Sequence, residues 1–407
     1  MDVDLLDPAL FYDGQPYHLY RRLRETDPVH WQPMAGGTGY WALTRHADIK
    51  AVETDSETYS SEPNTVINDD TVVGDETHKH LIFSDPPHHT DHRRFLSPEF
   101  GALPVRSARD TMETLVDEII DRVIENGECD LVEDIAGRLA SFVIADLLGL
   151  PREESLALFD AAAVLTRGGS TLEGEGAAAT RTMYQHATDA WNHRGASPPG
   201  GILGRIAHGE ILGTPMDELQ FQMDFQLLVS AGSDTTRNLV STGMTRLFAH
   251  PDQHRALVED VSRVPGAVEE MLRWDPPIVY QRRTATRDAE IGGKRIRAGQ
   301  KVVSYYGAGN RDPEVFTDPE TFDITRSPNP HLTFGAGRHF CLGSHLARLE
   351  LNTMFTALML RMPDVRPVAP TAWYRHPEAP AVVGPTSMPV RFTPGPRVAT
   401  PKAAQPA

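Results

Sequence analysis

The run Phe334-Gly335-Ala336-Gly337-Arg338-His339-Phe340-Cys341-Leu342-Gly343 joins two glycines, a cysteine and the opening of a helix. Glycines at this spacing permit a tight, backbone-rich turn. The helical pattern Leu342, Leu346, Leu349 begins directly after Cys341. The sulfur therefore sits at a loop-to-helix junction, where backbone N–H groups and a helix N-terminus favour thiolate over thiol and leave an anion able to bind a metal. Three other readings compete. A single cysteine is usually a buried small hydrophobe. His339, Cys341 and His345 could suggest zinc, but structural zinc takes four ligands, and the other cysteine, Cys129, stands alone. Gly335-Ala336-Gly337 lacks the third glycine of a dinucleotide loop and has no strand–helix–strand unit around it.

Outward from this loop, composition narrows the class. The chain has 407 residues, 40% hydrophobic and 23% charged, enough for one large core or two smaller ones. No apolar run is long enough to span a bilayer, and the N-terminus opens with acids rather than a basic signal region. Two cysteines exclude a disulfide framework and fit a reducing interior, so a cytoplasmic enzyme is expected. The net charge of -17 argues against nucleic-acid partners and anionic membranes, while leaving room for a local basic patch.

Along the chain, Tyr17 to Arg24 reads as a helix. Val29 to Gln32 and Gly39 to Leu43 read as a hairpin turned at Ala35-Gly36-Gly37. Residues 59–84 read as a long loop. In Asp85-Pro86-Pro87-His88-His89-Thr90-Asp91-His92-Arg93-Arg94 the prolines suit a helix start, and His89 and Arg93 fall on one face. Two amphipathic helices follow between Thr111 and Leu150, ended by Pro151, with Cys129 at their junction. Residues 165–202 read as irregular and glycine-rich, either a moving lid or a plain connection. Met216 to His250 is a long helix with Ala231-Gly232-Ser233-Asp234-Thr235-Thr236 at its middle. Hydroxyls bonding back to the preceding turn would loosen the ladder there into a widened turn. Glu270-Met271-Leu272-Arg273, strand-like segments at 279–284 and 289–296, and a helix from Leu342 to Leu360 complete the order. Residues 394–407 are Pro/Ala-rich and are expected to be disordered.

These motifs, in this order from residue 85 to residue 343, resemble the cytochrome P-450 family, the haem-thiolate monooxygenases of the soluble bacterial type. The cysteine loop matches that family's signature at Phe334, Gly335, Gly337, His339, Cys341 and Gly343. The resemblance implies a mainly α fold with a small β region, a triangular helical prism, as one domain over residues 1–393. It implies haem b (iron protoporphyrin IX) with Cys341 as the axial metal ligand and Phe334 shielding the sulfur. His89, Arg93, Arg283 and His339 would neutralise the propionates, with Arg282 a rival for Arg283. Small Ala231 and Gly232 would let the flat ligand lie against the helix, and Asp234 and Thr235 would order water and deliver protons to oxygen. Glu270 and Arg273 would form a structural network completed by Arg326. Members often carry an arginine where this chain has Thr321.

The same resemblance implies O2, a ferredoxin and a ferredoxin reductase as partners, with Arg338, His345 and Arg348 as the dock. Candidate pocket residues are mostly apolar or neutral, among them Val66 to Phe83, Val164 to Met183, Leu227 to Ala231, Ile278 to Gln281 and Thr386 to Met388. A largely hydrophobic substrate is therefore expected, and the stretch from Met271 to Leu351 is similar to bacterial members of the family that act on sterols, terpenoids and branched lipids, which implies hydroxylation of such a molecule. The alternatives are tailoring of an antibiotic intermediate or carrier-bound amino acid and, more remotely, a haem sensor without catalysis.

Overall fold

Side-chain caps and apolar periodicity set the helices that carry most of this chain. The computed structural model describes residues 3–68, 78–166, 174–194 and 201–398. Asp217 accepts a hydrogen bond from the Gln220 N–H and opens the longest helix, Glu218–Ala249, 32 residues and close to the expected span. It runs unbroken through residues 231–236, so the expected widened turn is absent. Ser233 and Thr235 do bond back to the carbonyls of Val229 and Ala231, but the ladder survives. The helix Gly137–Leu148 ends two residues before Pro151, because Gly149 takes a left-handed conformation (φ 68°) and returns its N–H to the last turn.

The long helix is a wall shared by two apolar clusters. Leu239, Val240, Met244 and Leu247 pack with Leu115, Leu139, Met271 and Phe355. Phe225 and Val229 pack with Ile144, Leu158 and Met183. Each such fully buried aliphatic contributes about 1.5–3 kcal/mol. Met183 belongs to a helix, Gly174–Asn192, within the region expected to be irregular. Gly176, Ala179, Met183 and Ala187 recur at helical spacing and are all buried, so packing of small residues overrode the local glycine content. The remaining glycines of that expectation, at 168–169 and 200, lie outside the described residues.

The β region is small. Strands β1 (Val29–Pro33) and β2 (Gly39–Leu43) form the expected hairpin, with Trp31 opposite Trp41. Gly36 and Gly37 supply its positive-φ turn. With β3 (Tyr59–Ser60), β4 (Tyr280–Ala285) and β5 (Lys301–Tyr305), they make a five-stranded sheet ordered β1-β2-β5-β4-β3. Cys129 lies in a short strand paired with residues 389–391 and packs on the core. Burial pushes its thiol up to about 12, which keeps it chemically inert. The chain is still packed at the start of the expected tail, where the Gly395 N–H donates to the Ile124 carbonyl. No described helix is long and apolar enough to cross a membrane.

Arg326 does complete the Glu270–Arg273 network. Arg273 donates to both Glu270 oxygens at 2.7 Å, and Arg326 reaches the same carboxylate at 3.1 Å. Thr321 contributes through its carbonyl, which accepts from both arginines.

Candidate active site

Gly335 (φ 69°) and Gly337 (φ 67°) turn the loop ahead of Cys341. A Cβ on Gly337 would overlap the Glu53 carbonyl oxygen, so glycine is needed there for space as well as conformation. The Cys341 N–H donates to the Phe334 carbonyl at 2.9 Å, and the helix Ser344–Arg361 follows. Burial pushes the Cys341 thiol above its ordinary value, although a Gly343 N–H bond and the nearby Arg93 and Arg348 pull the other way. A metal cation bound at the sulfur would favour the thiolate. Phe334 is buried beneath the Arg348 guanidinium, 4.6 Å from the ring centroid. Arg348 is also clamped on Glu269 at 2.6 and 2.9 Å. Burial alone would raise the Glu269 pKa, but bonds from Arg348 and His331 hold it at about 2. Of the expected docking residues, only Arg338 and His345 are exposed. No group of three or more His, Cys, Asp or Glu among the described residues is placed to hold a metal, so the zinc alternative is not assembled.

The helix His88–Leu96 brings His89 to 4.1 Å from His339, ring to ring. Both ring nitrogens of His89 are buried and make no hydrogen bond, whereas His339 Nε2 pairs with the Ser61 hydroxyl at 3.0 Å. Burial, then Arg93, lowers the His89 pKa to about 4. Burial, then Arg283, lowers that of His339 to about 2. Both rings are neutral at physiological pH. Arg93 donates to the Phe340 carbonyl at 2.6 Å and so ties this helix to the cysteine loop. Neighbouring β4 residues point to opposite faces. Arg283 falls beside His339, while Arg282 donates to Asn64 and Val66. Sequence reasoning missed two buried carboxylates here. Glu53 accepts from Arg283 at 2.6 Å, and Asp224 pairs with His92 at 2.9 Å, tying this helix to the long one.

On the long helix, Leu227, Ala231 and Thr235 recur every four residues and keep open surface on an otherwise mostly buried element. Gly232 does not belong to that stripe. A Cβ there would overlap Ile144, so its smallness serves helix packing. Asp234 is buried and pairs with Arg237 at 2.7 Å.

Glu350, on the cysteine helix, faces Thr236. Burial raises its pKa to about 8, against the pull of that hydroxyl. An unfolded glutamate titrates near 4.3, so between about pH 5 and 8 the folded chain holds the extra proton and stability falls as pH rises. Glu350→Gln is expected to flatten this slope, by up to about 1.4 kcal/mol per pH unit, in urea melts taken across that range. Identical slopes in both proteins would place the titration elsewhere.

An open helix stripe in a chain whose cysteine loop carries cations and imidazoles beside the sulfur suits a flat anionic cofactor with a metal at its centre; a helical protein offering one sulfur to it is of the haem-thiolate class. A cytochrome P450 family model matches residues 207–363. A cytochrome P450 of Mycobacterium tuberculosis is 36% identical over 92% of this chain and 94% of its own length. A steroid C26-monooxygenase of Mycolicibacterium smegmatis is 36% identical over 97% of this chain and 96% of its own. Among solved structures, a Mycobacterium marinum cytochrome P450 in complex with pseudoionone superposes with a TM-score of 0.86 at 32% identity, covering 96% of this chain and 99% of that one. The chain belongs to the cytochrome P450 family and is a haem b-dependent monooxygenase. Its residues fit that cofactor: the hydrogen-bonding nitrogens of His89 are unpartnered, and Ala231 leaves the helix surface open.

Proposed function

We propose that this monooxygenase hydroxylates a largely hydrophobic small molecule of the sterol, terpenoid or branched-lipid kind, with electrons from a ferredoxin. The observation that carries the reading is the open stripe of Leu227, Ala231 and Thr235, apolar except for one hydroxyl. Leu227 and the half-buried Val66, Phe83 and Ile278 would contribute the apolar wall. The named steroid and pseudoionone relatives support it. The candidates at 69–77 and 167–173 lie outside the described residues.

Bound haem supplies dioxygen chemistry, and a thiolate ligand such as Cys341 favours O–O cleavage. Arg283 and Arg93 supply positive charge, and His89 a neutral N–H donor, for its two carboxylates, with the His339 ring held beside them by Ser61. Asp234, held by Arg237, accepts and passes protons. The Thr235 hydroxyl, donating to the Ala231 carbonyl at 2.8 Å, can turn to hold water over the open stripe. Thr235→Ala is expected to keep substrate binding while product formed per O2 consumed falls roughly tenfold, the balance appearing as hydrogen peroxide. Full coupling in that variant would remove Thr235 from proton delivery.

A cleft of about 220 Å³ lined by Arg106, Arg109, His345 and Arg348 adds two cations to the expected dock and suits an acidic ferredoxin. Arg109→Glu is expected to slow reduction by ferredoxin about tenfold at low salt and to weaken its salt dependence. Rates indifferent to both changes would exclude this cleft.

The substrate reading is tested by titrating the purified enzyme with sterols and terpenoids and following the Soret band. A shift with these, and none with carrier-bound amino acids, is expected. The reverse would make the chain a tailoring oxidase.

A further inference from the structure

Arg283 is only 4% exposed and already has a carboxylate. Its Nη2 donates to Glu53 Oε2 at 2.6 Å, and its Nη1 to the Arg282 carbonyl. Glu53 is also 4% exposed, and its second oxygen is buried and makes no hydrogen bond. It sits near the end of the helix His46–Thr54, whose Glu53 carbonyl packs on Gly337 of the cysteine loop. The Tyr306 phenol lies against the same carboxylate. Burial first, then that charge, drives its pKa up, so it stays a neutral phenol. With His89 and His339 neutral, the fixed charges at this edge are Arg283 and Arg93 against Glu53. A haem adds two propionates to that set. A guanidinium has five N–H donors, so Arg283 retains donors for a second acceptor while holding Glu53.

We propose that Glu53 is an internal counter-carboxylate for Arg283, a positioning residue that occupies the guanidinium when haem is absent and shares it with a propionate when haem is bound. It rests on reading Arg283 as a propionate partner. Two carboxylates on one buried cation repel each other, so Glu53 weakens haem retention while it offsets the Arg283 charge in the empty pocket. Glu53→Gln removes both effects in one direction. The loaded state loses the repulsion, and the empty state gains an uncompensated buried arginine.

The test is haem transfer from the purified holoenzyme to excess apomyoglobin. Glu53→Gln is expected to release haem at least about tenfold more slowly than the unaltered enzyme, and Arg283→Gln at least about tenfold faster. The double variant is expected to release haem more slowly than Arg283→Gln alone, because that single variant leaves Glu53 facing the propionate with no cation between them; equal rates would overturn the repulsion. Resonance Raman of the propionate bending bands should shift in Glu53→Gln, which a merely structural glutamate would not produce. Unchanged or faster release from Glu53→Gln, with faster release from Arg283→Gln, overturns the sharing and leaves Arg283 as a propionate partner. Wild-type release from Arg283→Gln overturns that underlying reading itself. Should Glu53→Gln fail to accumulate, Glu53→Asp keeps the charge on a shorter stem and should release haem at an intermediate, slowed rate. A wild-type rate there overturns the proposal.

Discussion

Cys341→Ala is expected to lower monooxygenase turnover by at least about a thousandfold and to remove the strongly red-shifted Soret band of the dithionite-reduced carbon monoxide complex. Cys341 sits at the loop-to-helix turn, its N–H fixed on the Phe334 carbonyl and its sulfur approached by the Gly343 N–H. No other described side chain is presented in this way; the second cysteine, Cys129, is on the strand paired with residues 389–391. Haem uptake itself should fall less, because the propionate partners proposed above, His89, Arg93, Arg283 and His339, are left in place. Absorption spectra of the reduced variant, with and without carbon monoxide, separate the two effects. A variant that kept both turnover and the red-shifted band would show that the ligand lies elsewhere.

Arg273→Ala is expected to destabilise the fold by about 3–5 kcal/mol, the usual cost of leaving one member of a buried ion pair without its partner. Both Arg273 and Glu270 have no exposed side-chain surface. Arg273 also donates to the Asn310 and Pro319 carbonyls and lies over the rings of Trp274 and Phe316. Arg326 and Asn329 would still reach Glu270, at 3.1 and 3.2 Å, but neither replaces the paired 2.7 Å bonds of the guanidinium fork. Arg273→Lys should recover only part of the loss, since an ammonium cannot bond both oxygens in that geometry. Urea unfolding of the haem-loaded enzyme gives the comparison. A loss under about 1 kcal/mol for Arg273→Ala would mean that Arg326 and Asn329 suffice.

What local sequence dictates was legible from it. Glycine before a cysteine, a cap before an apolar period and alternation around Gly36-Gly37 each concern residues within a few positions, whose conformations follow from steric limits and short-range hydrogen bonds. The cysteine loop, the β1–β2 hairpin, the long helix and the helix bearing His89 and Arg93 all stand where those signals put them. The signals failed where packing outweighed them. Residues 174–192 form a helix because their small side chains fit the second apolar cluster, and the need for a glycine at 232 to clear Ile144 was not visible. The partners of the charged residues were hidden altogether. Glu53 and Arg283 are 230 positions apart and Arg348 and Glu269 are 79 apart, and no periodicity relates them. Sequence alone therefore determined the cysteine loop, the β1–β2 hairpin, the long helix and their order. Tertiary structure decided which cations are already neutralised, because a buried charge takes its partner from whatever the packing of distant segments brings within hydrogen-bonding reach.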